Sequence, residues 1–302
     1  MPIYRSLMGA VKGPVVLGIR AIFGYGKNAS YQSITNLVNS SGVVSTDTTG
    51  VGTARAFLAA AGYGGDKAIF GYGTTGTLQS ITNLVNSSGV VSTNTTGVGT
   101  VRSGLAAAGY GGDKAIFGHG ANSSSVAISM TNLVNSSGAV STDTAGVGTA
   151  RYRLAAAGYG TDKAIFGYGI TTINSSLTNK ISTTGVASTD TAGVGTARSE
   201  LAAAGYGTDK AIFGFGMIST YQSITNKISN TGVASTDTAG VGTARKAIAA
   251  AGYGGDKAIF GYGETSTYSN RINPVSNTGV VANDSSLVGT SRSYLAASSY
   301  GT

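Results

Sequence analysis

The chain has 302 residues, a formal net charge of +8, and neither Cys nor Trp. Hydrophobic residues make up 41% of it and charged ones 11%, the reverse of the balance that keeps a chain disordered. Gly numbers 48 against three Pro, which excludes collagen-like and polyproline chains, and the lack of Cys excludes disulfides and thiolate chemistry.

Residues 1–19 precede the repeats and are expected to form an N-terminal extension. Their longest aliphatic run, Val15-Val16-Leu17, is too short for the core of a signal peptide. Nowhere does an apolar run approach the roughly 18 residues of a membrane helix. From residue 20 onward the chain repeats itself. Ala-Ile-Phe-Gly recurs with Phe at 23, 70, 117, 166, 213 and 260, spacings of 47, 47, 49, 47 and 47 residues. Arg recurs at 55, 102, 151, 198, 245 and 292, and Tyr at 63, 110, 159, 206, 253 and 300. A period in the forties belongs to propellers or to helical arrays.

One unit predicts four strands, A over 53–63, B over 67–73, C over 80–86 and D over 89–94. Gly, Asn and Asp turn signals separate them, and Val, Ile, Phe, Tyr and Thr fill them. Gly71 and Gly73 would break a helix. Strand A is mostly Ala and Gly, as an innermost strand crowding an axis must be. Strand B is apolar on both faces, which suits a strand sandwiched between neighbours. In strand C the slot held by Leu37, Leu84 and Leu133 becomes Lys180 and Lys227, so it must reach water, and Pro274 takes it in the last copy.

The two ends complement each other. The first copy begins at Arg20-Ala21-Ile22-Phe23 with no strand A before it, and the last stops at Tyr300-Gly301-Thr302 with no strand B after it. Pairing them removes the edges an open sheet would expose. The expected fold is all-β: a six-bladed β-propeller over residues 20–302, four antiparallel strands per blade. Its ring is closed by the C-terminal strand A pairing with the N-terminal strand B.

Thr-Ala-Arg, a small apolar strand, a Gly-Asp-Lys turn and Ile-Phe-Gly-Tyr-Gly together resemble the kelch repeat, across residues 20–302. The paired glycines of kelch are split here as Gly71-Tyr72-Gly73, and the late-blade Trp is missing. More narrowly, the repeat resembles kelch-like repeats in proteins of tailed bacteriophages, marine ones especially. That resemblance implies a virion-associated binding or structural protein, located in the phage particle. Its partner would be another virion protein, or a host surface receptor or polysaccharide. A multivalent, lectin-like carbohydrate binder is the alternative.

Catalytic groups are sparse. His119 is the only His and occupies the aromatic slot of Tyr25, Tyr72, Tyr168, Phe215 and Tyr262, so a packing role is expected. One His and no Cys exclude the usual zinc ligand sets and the Ser-His or Cys-His pairs, and also the copper-radical chemistry of some kelch enzymes. Ser45-Thr46-Asp47-Thr48-Thr49-Gly50 resembles a sialidase Asp box with its Gly one residue late and its aromatic absent. The two Glu, Glu200 and Glu264, stand in unrelated slots, which argues against a paired-carboxylate site. Gly71-Tyr72-Gly73-Thr74-Thr75-Gly76 matches a dinucleotide fingerprint by letters, but no helix follows. No catalytic residue, metal or cofactor is therefore expected.

The repeated Asp residues read as turn formers, in the A–B turn and after strand D. The six repeated Arg read as scaffold, bonding carbonyls or carboxylates between blades; the other reading is an anion-binding ring in the channel. Two regions vary between copies, the B–C loops and the residue pair after each repeated Arg. Alternating strand direction places both on one rim, opposite the recurrent Gly-Gly-Asp-Lys and Asn-Ser-Ser-Gly turns, and variable loops on a rigid scaffold are where binding lives. The rim candidates for partner binding are Tyr31, Phe57, Tyr152, Arg153, Tyr221, Tyr268 and Tyr294, with Glu200 and Lys246 as charged neighbours. Most of the excess positive charge lies outside the repeated slots, among them Lys27, Arg153, Lys180, Lys227 and Lys246. The charges are scattered, which hints at an anionic surface more than at nucleic acid, and no membrane insertion is expected.

Overall fold

The computed structural model describes residues 19–286 and 289–301. The N-terminal extension, apart from Ile19, lies outside the described residues. Those described are all-β, without helices, and form six repeated antiparallel sheets of three strands, the last with a short fourth. The arrangement is consistent with a propeller-like repeat fold, and among the described residues no helix is long and apolar enough to cross a membrane.

The first sheet joins β19 (Ala296–Tyr300), β1 (Arg20–Gly24) and β2 (Thr35–Val38). The second holds β3 (Ala59–Tyr63), β4 (Lys67–Gly71) and β5 (Thr82–Val85), and the third β6 (Ala106–Tyr110), β7 (Lys114–Gly118) and β8 (Thr131–Val134). The fourth has β9 (Ala155–Tyr159), β10 (Lys163–Gly167) and β11 (Thr178–Ile181). The fifth has β12 (Ala202–Tyr206), β13 (Lys210–Met217) and β14 (Tyr221–Ile228). The sixth has β15 (Ala249–Tyr253), β16 (Lys257–Gly261), β17 (Arg271–Val275) and β18 (Ser285–Ser286). In the first sheet β1 pairs with β19 from Arg20↔Tyr300 to Gly24↔Ala296, the register that Lys67↔Tyr63 to Gly71↔Ala59 sets within one repeat.

Three strands per sheet, not four, is a correction to the sequence reading. Apart from the two-residue β18 of the sixth sheet, the expected strand D touches strand C only through isolated bridges such as Val38↔Val44 and Thr35↔Thr48. Side chains occupy the bonds a ladder would use: Leu37 N donates to Ser45 Oγ at 3.0 Å, and Asn36 Nδ2 donates to Ser45 O and Asp47 Oδ1. Strand B also ends sooner than expected, at Gly71. Tyr72 (φ 63°) and Gly73 (φ 99°) leave the β region there; in the fifth sheet, where Phe215 and Gly216 do the same, β13 runs on to Met217 only across a shift of register between Gly214 and Gly216.

Sheets pack through a recurrent Phe-on-Gly contact. A Cβ on Gly24 would lie 2.8 Å from Phe70 Cζ, one on Gly71 2.8 Å from Phe117, and one on Gly261 2.9 Å from Phe23. Each sheet's Phe thus lies on the glycine of the sheet before it, which is the physical reason for the Phe-Gly of the repeat. The repeated Arg side chains are fully buried between sheets. Arg292 donates from Nε to Tyr25 O, from a second nitrogen to Asn36 Oδ1 and from the third to Thr290 O, and lies 4.2 Å from the Tyr262 ring centroid. Arg198 and Arg245 repeat this fork and stack on Tyr168 and Phe215, while Arg55 stacks on Tyr25 and keeps two of its arms, to Tyr72 O and Thr53 O. With no exposure, the ring is scaffold and cannot bind anions in a channel.

The repeated Asp after strand C does more than form a turn. Asp143 takes the N–H and hydroxyl of Thr100, and Asp47 those of Thr290, tying the outer end of each sheet to the segment entering its inner strand. Asn94 makes the same tie to Thr53, accepting its N–H at Oδ1 but donating from Nδ2 to its hydroxyl.

Candidate partner surface

The variable pair after each repeated Arg enters the inner strand through a backbone turn. Its second residue has positive φ in every copy: Phe57 (57°), Gly104 (64°), Arg153 (54°), Glu200 (54°), Ala247 (54°) and Tyr294 (53°). These six residues bond to one another head to tail. Gly104 N donates to Phe57 O, Arg153 N to Gly104 O, Glu200 N to Arg153 O, Ala247 N to Glu200 O, Tyr294 N to Ala247 O, and Phe57 N to Tyr294 O, at 2.6–2.9 Å. We call this set the collar. At the other end of the sheets a second set of six runs through the A–B turns, from Gly64 N to Asp113 O round to Gly301 N to Asp66 O. In that set Ile19 O takes the place of the missing sixth Asp, accepting from Gly254 N at 2.8 Å.

The first residue of each pair bridges to the start of its own sheet's B–C loop, as Tyr152↔Ile170, Lys246↔Glu264 and Lys27↔Ser293 show. Both variable regions therefore lie on one face, as the strand directions predicted. Phe57, Arg153, Glu200 and Tyr294 belong to the collar, with Tyr152 and Lys246 beside it. Tyr31, Tyr221 and Tyr268 sit further out in the loops. Tyr221 Oη donates to Thr265 O at 2.9 Å and Tyr268 Oη to Asn28 O at 2.8 Å, so each clips the loop of the next sheet.

Charges on the collar are gathered on one side. Arg153 bonds Glu200, whose other oxygen takes Lys246 at 3.2 Å and the Tyr294 hydroxyl at 2.9 Å. Glu264 adds contacts to Ser293 at 2.7 Å and Lys246 at 3.5 Å. Glu200 is only 6% exposed, so this charged neighbour of the rim aromatics is a buried hub. Nor are the two Glu unrelated: both reach Lys246 and Tyr294, although they come from different slots. Burial, together with Glu200 and Glu264, pushes the Tyr294 phenol pKa up and keeps it a donor. Tyr294 also stacks on Phe57 with ring centroids 3.9 Å apart, and the Lys27 ammonium lies 5.5 and 5.7 Å from these two rings.

Sequence reasoning missed Glu264, Lys27 and Ser293. Their slots carry no repeated chemistry, and only the bridges across the sheet bring them to the collar. Among the described residues no group of His, Asp and Glu has the geometry to hold a metal ion. His119 is buried edge-on to Phe166 at 5.5 Å, in the packing slot expected of it. No protein-family model matches the chain, and no curated protein matches it.

Proposed function

We propose that the chain is a six-bladed β-propeller, closed by pairing of β19 with β1, and that it works as a non-enzymatic binding scaffold. Its partner surface is the face of the collar and the B–C loops. The observation that carries this reading is the contrast within the collar: an identical backbone hydrogen bond recurs at all six positions while the side chains on it are Phe, none, Arg, Glu, Ala and Tyr. A rigid frame that displays unlike side chains in one place suits recognition of an asymmetric partner. A virion setting, in host attachment or docking onto another virion protein, rests on the resemblance of the repeat to kelch-like repeats of tailed phages.

The test replaces rim tyrosines, exposed at 221 and 268 and half-buried at 31 and 152, by residues that other copies hold in the same slots: Tyr31, Tyr221 and Tyr268 by Asn, and Tyr152 by Ser. Adsorption of the labelled chain to bacterial cells and to phage particles is then compared with the unaltered chain. Loss of adsorption with unchanged melting supports the rim. Undiminished adsorption removes it.

A further inference from the structure

The opposite face carries the C–D turns, and these are less uniform than the sequence reading made them. The first three copies read Asn39-Ser-Ser-Gly42, Asn86-Ser-Ser-Gly89 and Asn135-Ser-Ser-Gly138. The last three read Ser182-Thr-Thr-Gly185, Ser229-Asn-Thr-Gly232 and Ser276-Asn-Thr-Gly279. In the fourth and fifth copies the change accompanies Leu becoming Lys in strand C, and each Lys reaches the turn of the next sheet. Lys180 Nζ crosses from the fourth sheet to Thr231 O in the turn of the fifth, at 3.1 Å. Lys227 Nζ crosses from the fifth to Thr278 O in the turn of the sixth, also at 3.1 Å. An open groove lies between the fourth and fifth sheets, its floor largely apolar from Ile181, Val186, Ala187 and Tyr159, with Lys163, Lys180, Ser182, Asn230 and Thr231 supplying its polar groups.

We propose that Lys180, in the groove between the fourth and fifth sheets, and Lys227, in the same slot one sheet on, are paired subsites for an acidic polysaccharide, each binding a carboxylate of the same polymer chain. Each ammonium has three donors and spends one on the turn carbonyl, which fixes its position and leaves two for a ligand. Lys163 lines the same groove as Lys180, and Lys210 holds the equivalent slot one sheet on; each lies beside an Asp (Lys163 at 3.5 Å from Asp162, Lys210 at 2.8 Å from Asp209). Four Lys against two Asp leave the pair of subsites basic, and hydroxyl and amide groups of Ser182, Thr231 and Asn230 match sugar hydroxyls. Nucleic acid fits less well: Tyr159 and Tyr206 are 4% exposed and offer no ring face for a base. Two like sites on adjacent sheets suit a repeating polymer, for which the second contact is intramolecular.

The probe is polygalacturonate cast in a native gel, with dextran as the neutral control and an oligothymidylate of similar charge as the nucleic-acid arm. Lys180→Leu and Lys227→Leu restore the residue of the first three copies, so the fold should hold; circular dichroism checks it. Arg5→Gln with Lys12→Gln, outside the described residues, removes equal charge elsewhere. Expected are salt-sensitive retardation by polygalacturonate, partial loss in each single variant, and at least a roughly fivefold weakening in the double, because bivalency is lost. The rim variants and the charge-matched control should bind as the unaltered chain does. The proposal is overturned by no retardation of the unaltered chain, by equal retardation of the double variant, or by an equal loss in the charge-matched control. It is overturned as well if the oligonucleotide binds more tightly through the same lysines.

Discussion

Pro274 lies opposite Ala282, and between them the pair lacks both halves of a hydrogen bond that the other five sheets make. In those sheets the N–H of Leu37, Leu84, Leu133, Lys180 or Lys227 donates to the hydroxyl of Ser45, Ser92, Ser141, Ser188 or Ser235 at 2.9–3.0 Å. Pro274 has no N–H to give and Ala282 no hydroxyl to receive, while the return bond from Ala282 N to Pro274 O persists at 2.8 Å. Donor and acceptor have gone together, so no orphan is left.

The pair is therefore coupled. Pro274→Leu alone frees an N–H with no side-chain acceptor and loses the stiffening that Pro gives the unfolded chain. Ala282→Ser alone adds a hydroxyl with no N–H to meet. Together they should restore the bond, with a favourable coupling of about 0.5–1.5 kcal/mol in a double-mutant cycle of urea unfolding. A coupling indistinguishable from zero would refute the account.

His119 gives a prediction in pH. Burial, reinforced by the nearby Arg151, lowers its pKa from 6.5 to about 3. Below pH 6.5 the unfolded chain gains a proton at this site that the folded chain refuses until about pH 3. Stability present at neutral pH is therefore lost as pH falls through that window. His119→Tyr removes the penalty. It also supplies a hydroxyl like those of Tyr25, Tyr72 and Tyr168, which donate to Val51, Val98 and Val194 O at 3.1–3.2 Å. The variant should be at least as stable at pH 7, and its advantage should grow by on the order of 2 kcal/mol at pH 5. An advantage independent of pH would show that His119 is protonated when folded.

What the sequence made legible is what side chains dictate. The Phe-Gly contact, the buried Arg and the apolar strand B repeat because a particular side chain is needed, and the three inner strands could be placed from them. The collar was legible only as variability. Its work is done by the N–H and C=O of residues 57, 104, 153, 200, 247 and 294, which any residue tolerating positive φ supplies, so the slot carries no repeated letter. Gly104 alone hinted at the backbone. The outer segment was misread for the complementary reason: Val and Thr suggest a strand, but Asn36 and Ser45 side chains stand in for its ladder.

Arg292 joins the two ends of the chain, bonding Tyr25 O and Asn36 across more than 250 residues of sequence. Arg292→Met leaves those acceptors buried and unpaired, and should cost on the order of 3 kcal/mol. Arg292→Lys should rescue little, because a point ammonium cannot reproduce a three-nitrogen fork. Deleting residues 291–302 goes further and leaves β1 with a bare edge, so aggregation or a large fall in melting temperature is expected. A truncated chain that melts where the full chain does would refute closure.

Glu200 separates backbone strain from charge within the collar. Its φ of 54° costs a non-Gly residue about 1–2 kcal/mol, while its carboxylate anchors Arg153, Lys246 and the Tyr294 hydroxyl. Glu200→Ala keeps the strain and loses the anchor. Glu200→Gly loses both, as Gly104 already does two sheets away. Thermal unfolding should rank the unaltered chain first, then Glu200→Gly, then Glu200→Ala, with about 1 kcal/mol between the two variants. Gly104→Ala should lose a similar amount, since its Cβ meets Arg153 N at 3.3 Å and gains nothing in return. If Glu200→Ala proved the more stable of the two variants, the left-handed turn would not be under strain, and the collar would owe its form to the charges and not to the backbone.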